Sequence, residues 1–66
     1  MKLGEALKKE REARGLSLRD LAEVTGLSFM TLWRIEIGRI RQPKFRDVTN
    51  IAKALRMNLN SLAKLE

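Results

Sequence analysis

The positively charged side chains in the middle of the chain are the residues whose types and spacing point most directly to chemistry. Residues 34–56 carry seven Lys and Arg but only two acidic side chains, so this segment holds +5 of the formal net charge of +6. Such a segment is typical of a surface that binds a polyanion, either nucleic acid or anionic lipid. The alternative is a solvated surface that serves only solubility. The seven cations are Arg34, Arg39, Arg41, Lys44, Arg46, Lys53 and Arg56.

The side chains that catalysis most often requires are missing. The 66 residues include no His and no Cys, which removes the commonest general base and the soft metal ligands. The four glycines form no phosphate-binding loop. We therefore expect neither an enzyme nor a metal or cofactor site, and no small-molecule ligand is indicated.

Length and hydropathy favour one small cytoplasmic domain that spans residues 1–66. Without Cys for disulfides, a core of this size depends on helix packing and on association with a second copy. The amino terminus carries charge at Lys2 and Glu5 and has no apolar run, so no leader peptide is expected. No segment approaches the ~18 apolar residues that a membrane span needs.

Apolar residues recur at helical spacing and do not alternate with a period of two, so the sequence predicts an all-α domain. Ser17 caps a second helix that ends at Gly26, and Ser28 caps a third that runs from about residue 29 to 36 or 37 before Gly38. The first helix ends at Gly15 and carries on one face Leu3, Ala6, Leu7 and Ala13.

Two further helices follow a loop at residues 39–44 that contains Pro43 and three cations. The apolar stripe of the fourth helix consists of Phe45, Val48, Ile51, Ala52 and Leu55. Asn58 caps a fifth helix, which is marked by Leu59, Leu62 and Leu65.

The turn between the second and third helices has the three residues 25–27, the length that makes two helices cross steeply. Side chains of the third helix that are spaced at about 100° per residue fall into two groups. The core-facing group is Thr31, Leu32, Ile35 and Glu36, and the outward group is Phe29, Met30, Trp33 and Arg34.

These residues together resemble the XRE (Cro/CI-type) family of helix-turn-helix DNA-binding domains, and the closest pattern is that of small lambdoid phage repressor and Cro domains. The matching motifs are Gly15-Leu-Ser-Leu-Arg-Asp-Leu21-Ala22, Gly26-Leu-Ser28, Leu32-x-x-Ile35-Glu36-x-Gly38 and Ile51-Ala-Lys-Ala-Leu55. The resemblance implies a five-helix lambda-repressor-like fold with the helix-turn-helix at about residues 17–36. It also implies a transcriptional regulator, typically a repressor, that binds a palindromic operator in double-stranded DNA as a homodimer.

The resemblance also implies roles for individual residues. The third helix enters the major groove, where bases are read by Ser28, Phe29, Met30, Trp33 and Arg34. Phosphates are bound by Arg39, Arg41, Lys44 and the backbone amide of Phe45. A salt bridge joins Arg11 to Glu36, and the dimer interface comprises Met57, Leu59 and Leu65.

The outward face of the third helix departs from the family, which places polar residues where this chain has Phe29, Met30 and Trp33, and Gln where it has Leu18. Three explanations remain open. Apolar side chains read thymine methyl groups while Arg34 binds guanine. Alternatively, these three residues and Ile37 form a patch for another protein, which would make the chain a protein-interaction module. In the third explanation, Trp33 or Phe29 folds back over the core and reads nothing.

Overall fold

The computed structural model describes residues 3–57, which form four α-helices connected by short turns and one longer loop. They contain no strand, so the prediction of an all-α domain is confirmed for this part of the chain. The helices are α1 (Leu3–Ala13), α2 (Leu18–Thr25), α3 (Phe29–Glu36) and α4 (Phe45–Ala54). The predicted fifth helix, with Asn58, Leu59, Leu62 and Leu65, lies outside the described residues.

Each helix contributes at least one aliphatic side chain to a single core. α3 packs against both α1 and α2, and α4 packs against α2. Burying a Leu or Ile side chain contributes about 1.5–3 kcal/mol to stability. These contacts therefore fix the orientation of α3 relative to α1 and α2. The largest side chains with almost no exposure are Leu7, Leu21, Leu32, Ile35, Ile51 and Leu55.

Two predicted apolar-face residues are exposed instead. Ala13 lies about 120° around α1 from Leu7, and the buried position one turn after Leu7 belongs to Arg11. Phe45 is 77% exposed because it is the first residue of α4 and lies about 120° from the buried Ile51. The predictions that placed Ala13 and Phe45 on buried faces are therefore wrong.

The chain reverses direction after α3 through the predicted stop at Gly38. This residue has φ 86°, which a side chain would strain. Its N–H donates to the carbonyl of Ile35, and the N–H of Arg39 donates to the carbonyl of Arg34 at 2.8 Å. This hydrogen-bond pair is a Schellman motif, which satisfies the last carbonyls of α3 and directs the cationic loop back along the helix.

Gly4 is a point of close approach between the backbones of α1 and α3. A Cβ atom built on Gly4 would lie 2.3 Å from the carbonyl oxygen of Ile35 and 2.8 Å from that of Glu36. Both obstacles are backbone atoms, which cannot rotate away as a side chain would. The absent side chain therefore sets the distance between the two helices.

The Gly4→Ala variant is expected to lose about 1–3 kcal/mol of stability because the added methyl group pushes α1 away from α3. Helix propensity alone would give the opposite sign, since Ala favours a helix by about 1 kcal/mol over Gly. Urea denaturation measures the difference. The exposed Lys8→Ala variant on the same helix should change stability by less than about 0.5 kcal/mol. A Gly4→Ala protein more stable than the parent would contradict the close contact.

Candidate nucleic-acid interface

α2 begins with the predicted Ser17 cap. The N–H of Asp20 donates to Ser17 Oγ, and the N–H of Ser17 donates to Asp20 Oδ2, both at 3.0 Å. The hydrogen bond from the backbone of Ser17 lowers the pKa of Asp20. The ionised carboxylate of Asp20 therefore contributes to stability at neutral pH, and this contribution is lost as the pH falls through the lowered pKa. This reciprocal capping box fixes the first turn of α2.

The turn between α2 and α3 is held by side chains as well as by Gly26, which has φ 76°. Thr25 Oγ1 donates to the carbonyl of Leu21 at 2.7 Å and accepts the N–H of Leu27 at 3.2 Å. Asn50 Nδ2, on α4, donates to the carbonyl of Thr25 at 2.6 Å. The turn is therefore attached to α4, and α3 starts from a fixed point.

The amino end of α3 has both a side-chain cap and free backbone amides. Ser28 Oγ accepts the N–H of Thr31 at 3.0 Å, and the Ser28 hydroxyl donates to Thr31 Oγ1 at 2.8 Å. Within residues 3–57, the N–H groups of Phe29 and Met30 have no hydrogen-bond acceptor. These amides, together with the helix dipole, favour an anion at this end of α3.

The outward face of α3 and the residue that caps its end carry four large apolar side chains that are between 39% and 49% exposed. They are Phe29, Met30 and Trp33 of α3 and the cap residue Ile37. Both aromatic residues keep more than a third of their surface accessible. Trp33, Leu18 and Ile37 line a surface cleft of about 430 Å³ together with residues of α1. Trp33 therefore faces α1, whereas Met30 and Arg34 are not part of that cleft.

Arg11 and Glu36 are brought together beneath this face. Arg11 Nε donates to Glu36 Oε2 at 2.8 Å and Nη2 donates to Oε1 at 3.1 Å, while Nη1 donates to the carbonyl of Leu16 at 2.6 Å. Both side chains are at least nine-tenths buried. The hydrogen bond to Glu36 raises the pKa of Arg11. One guanidinium thus joins α1, the loop after it and the end of α3.

The cations of residues 34–56 form no ion pairs within the described part of the chain. In contrast, Arg11 pairs with Glu36 and Arg14 with Glu10. Arg34, Arg39, Arg41 and Lys44 are all exposed. Their charge is therefore available to an external anion.

The amino end of α4 adds to this positive surface. Lys44 is its cap residue and provides no side-chain hydrogen bond to the helix. The carbonyl of Lys44 accepts the N–H groups of Asp47 and Val48, whereas those of Phe45 and Arg46 have no acceptor within residues 3–57. Two amides and the positive end of the helix dipole therefore lie beside the exposed Lys44.

A family profile described as a helix-turn-helix domain matches residues 2–65 of the chain. The chain belongs to this helix-turn-helix family. The match covers the two helices and the turn whose local geometry is described above, and it confirms the resemblance drawn from the sequence.

Among solved structures, this helix-turn-helix domain is similar to SinR, described as the master regulator for biofilm formation, in a crystal structure of SinR in complex with DNA. The two chains are 26% identical, and the superposition has a TM-score of 0.88 over 94% of this chain and 98% of the SinR chain. A comparison with curated protein sequences found no significant match.

Two residues that shape the helix-turn-helix domain were not predicted from the sequence. Gly4 and Asn50 act through contacts with residues far away in the chain, Ile35 and Thr25 respectively. Only the unusual positions of Gly in a first helical turn and of Asn beside an apolar stripe signalled them.

The residues predicted for the dimer interface are only partly within the described chain. Met57 is half-buried and packs against the core. Leu59 and Leu65 lie outside the described residues. In residues 3–57 the longest helix has 11 residues, and none is long and apolar enough to cross a membrane.

Proposed function

We propose that the protein is a cytoplasmic, sequence-specific regulator of transcription, a repressor that binds a palindromic operator in double-stranded DNA as a homodimer. α3 lies in the major groove, and the loop after it follows the phosphate backbone. The observation that carries the proposal is the set of exposed cations after α3 that form no ion pair within residues 3–57. The likeness to SinR, which was crystallised with DNA, supports it.

The proposal divides the exposed residues into two groups. Arg39, Arg41, Lys44 and the amide of Phe45 bind phosphates and set the position of the domain on the duplex. Base edges are read from α3 by Ser28, Phe29, Met30, Trp33 and Arg34. The hydroxyl hydrogen of Ser28 is used in its cap, so Ser28 takes part only as an acceptor.

The second candidate function is a protein-interaction module, and the exposed apolar face of α3 favours it. Phe29, Met30 and Trp33 would be its hot spot, as aromatic side chains often are at interfaces. Selection from a library of random duplexes separates the two candidates. Enrichment of a palindrome supports the operator proposal, whereas a library that remains random favours the interaction module.

Arg34 and Arg41 provide a matched pair for testing the division of roles. Arg34→Ala should cost about 1–3 kcal/mol of binding free energy and relax the preference at a single base pair. Arg41→Ala should weaken binding to all duplexes about equally, because phosphates carry no sequence. Titrations against the selected duplex and its single-base variants measure both. An Arg34→Ala protein with unchanged base preferences would contradict direct readout by Arg34.

A palindromic site predicts two protomers on each duplex. We propose that the ends of the fourth and predicted fifth helices, with Met57, Leu59 and Leu65, form the interface, and that dimers assemble mainly on DNA. Sedimentation at micromolar concentration should give a two-to-one complex on the full palindrome and a one-to-one complex on a half-site. A one-to-one complex on the full palindrome would contradict dimeric binding.

A further inference from the structure

Met30 and Arg34 form a pair on the outermost face of α3. They are four residues apart, which places their side chains one above the other with Cβ atoms about 5–6 Å apart. Met30 is 46% exposed, and Arg34 is exposed. Both lie outside the cleft that Trp33 shares with α1. An apolar, polarisable group and a guanidinium are thus presented side by side.

Arg34 has no partner of its own within residues 3–57. The acidic side chain nearest to it in sequence, Glu36, is buried in the pair with Arg11. The C-terminal turn of α3 uses the carbonyl of Arg34, not its side chain. The guanidinium is therefore free to donate two parallel N–H hydrogen bonds to an external group that has two neighbouring acceptors.

The chemistry of this pair matches two neighbouring bases. The major-groove edge of guanine offers O6 and N7, which accept two hydrogen bonds from one guanidinium. The base on the 5′ side of that guanine lies about 3.4 Å away along the helix axis. A pyrimidine at that place presents its C5 position in the major groove. In thymine a methyl group stands at C5, and in 5-methylcytosine the same methyl group occupies the same place in the groove. An unmethylated cytosine has only hydrogen there.

We propose that α3 recognises a 5-methylpyrimidine–guanine step, in which Arg34 binds the guanine and Met30 contacts the C5-methyl group. The step is TpG or methylated CpG, so that cytosine methylation creates a binding site. This inference rests on the proposed DNA binding and names the base step that α3 reads. The cations that flank α3 supply the charge complementarity for a duplex instead of a protein at this face.

The test uses the duplex selected from the random library and changes one pyrimidine–guanine step in each half-site. Four versions of the duplex carry TpG, UpG, CpG or 5-methyl-CpG at this step. The TpG and UpG duplexes differ only by the C5-methyl group, and so do the 5-methyl-CpG and CpG duplexes. Each methyl removed should weaken binding about fourfold, which is the value of burying one carbon. A palindrome that loses both methyls should therefore lose about 15-fold.

Two variants assign the effect to Met30. Met30→Gln keeps the length of the side chain but replaces its apolar end, and it should reduce both methyl ratios to about one. Val24→Gln makes a similar exchange at an exposed apolar position of α2 and should leave both ratios unchanged. Circular dichroism checks that each variant is folded.

Three outcomes would overturn the inference. Methyl ratios near one on a duplex that is still bound sequence-specifically would overturn this inference and leave the proposed function standing. A selected site without a pyrimidine–guanine step would do the same. Failure of the library to enrich any duplex would overturn both the inference and the proposed function.

Discussion

The affinity for DNA is expected to fall by about 10³ to 10⁵ between 50 and 200 mM salt. If Arg39, Arg41, Lys44 and the amino ends of the helices bind phosphates, a bound dimer neutralises roughly six to ten of them and releases the condensed counterions. The loss is large because these cations form no ion pairs within residues 3–57, so their charge is available to the phosphates.

Titrations at several salt concentrations measure the slope of log affinity against log salt. Arg41→Ala should reduce that slope by about one for each protomer. Arg14→Ala is the matched control, since Arg14 directly follows α1 and is already paired with Glu10. Binding that does not respond to salt would contradict phosphate contacts by the loop.

Breaking the buried pair of Arg11 and Glu36 is expected to cost about 3–5 kcal/mol of stability. Arg11→Met leaves a carboxylate in the core without a cation and removes the donor to the carbonyl of Leu16. Glu36→Gln removes the buried counter-charge of the guanidinium and leaves only one ionic contact, at 3.9 Å to the exposed carboxylate of Glu12. The double variant should lose less stability than the sum of the two single losses, because it leaves no buried charge without its partner.

Urea denaturation of the two single variants and the double variant gives the coupling energy. The control is Arg14 with Glu10, an ion pair that is more than one-third exposed and should couple by less than about 1 kcal/mol. Because the hydrogen bond to Glu36 raises the pKa of Arg11, deprotonation of the guanidinium removes its contribution to stability only well above neutral pH. Single losses below about 1 kcal/mol without coupling would show that the pair does not hold α1 to α3.

The parts of the fold that local chemistry determines were predictable from the sequence. Ser17, Ser28 and Gly26 mark helix ends because a hydroxyl caps free amides and glycine tolerates a positive φ, and each of these signals extends over only a few residues. The burial of Leu32 and Ile35 likewise followed from helical spacing.

Contacts between distant residues were not predictable in the same way. The distance from Gly4 to the carbonyl of Ile35 depends on how α1 and α3 cross, which no local pattern specifies. The hydrogen bond from Asn50 to the carbonyl of Thr25 spans 25 residues. Phe45 was misplaced because it was assigned to the apolar stripe although it lies about 120° around α4 from the buried Ile51, at the first residue of the helix.

The outward face of α3 was only partly predictable from helical spacing. Spacing placed Met30, Trp33 and Arg34 together on the exposed side, and all three are exposed. It did not separate Trp33, which faces the cleft beside α1, from Met30 and Arg34. That separation depends on how α1 and α3 pack against each other, which helical spacing within α3 does not specify.

The central claim, sequence-specific binding of double-stranded DNA through α3, is tested most directly by one ratio of affinities. The duplex enriched from the random library and a scrambled duplex of the same composition are titrated under identical physiological salt. The account predicts that the enriched duplex binds at least about 10³-fold more tightly. Equal affinities for the two duplexes, or no binding to either, would contradict it.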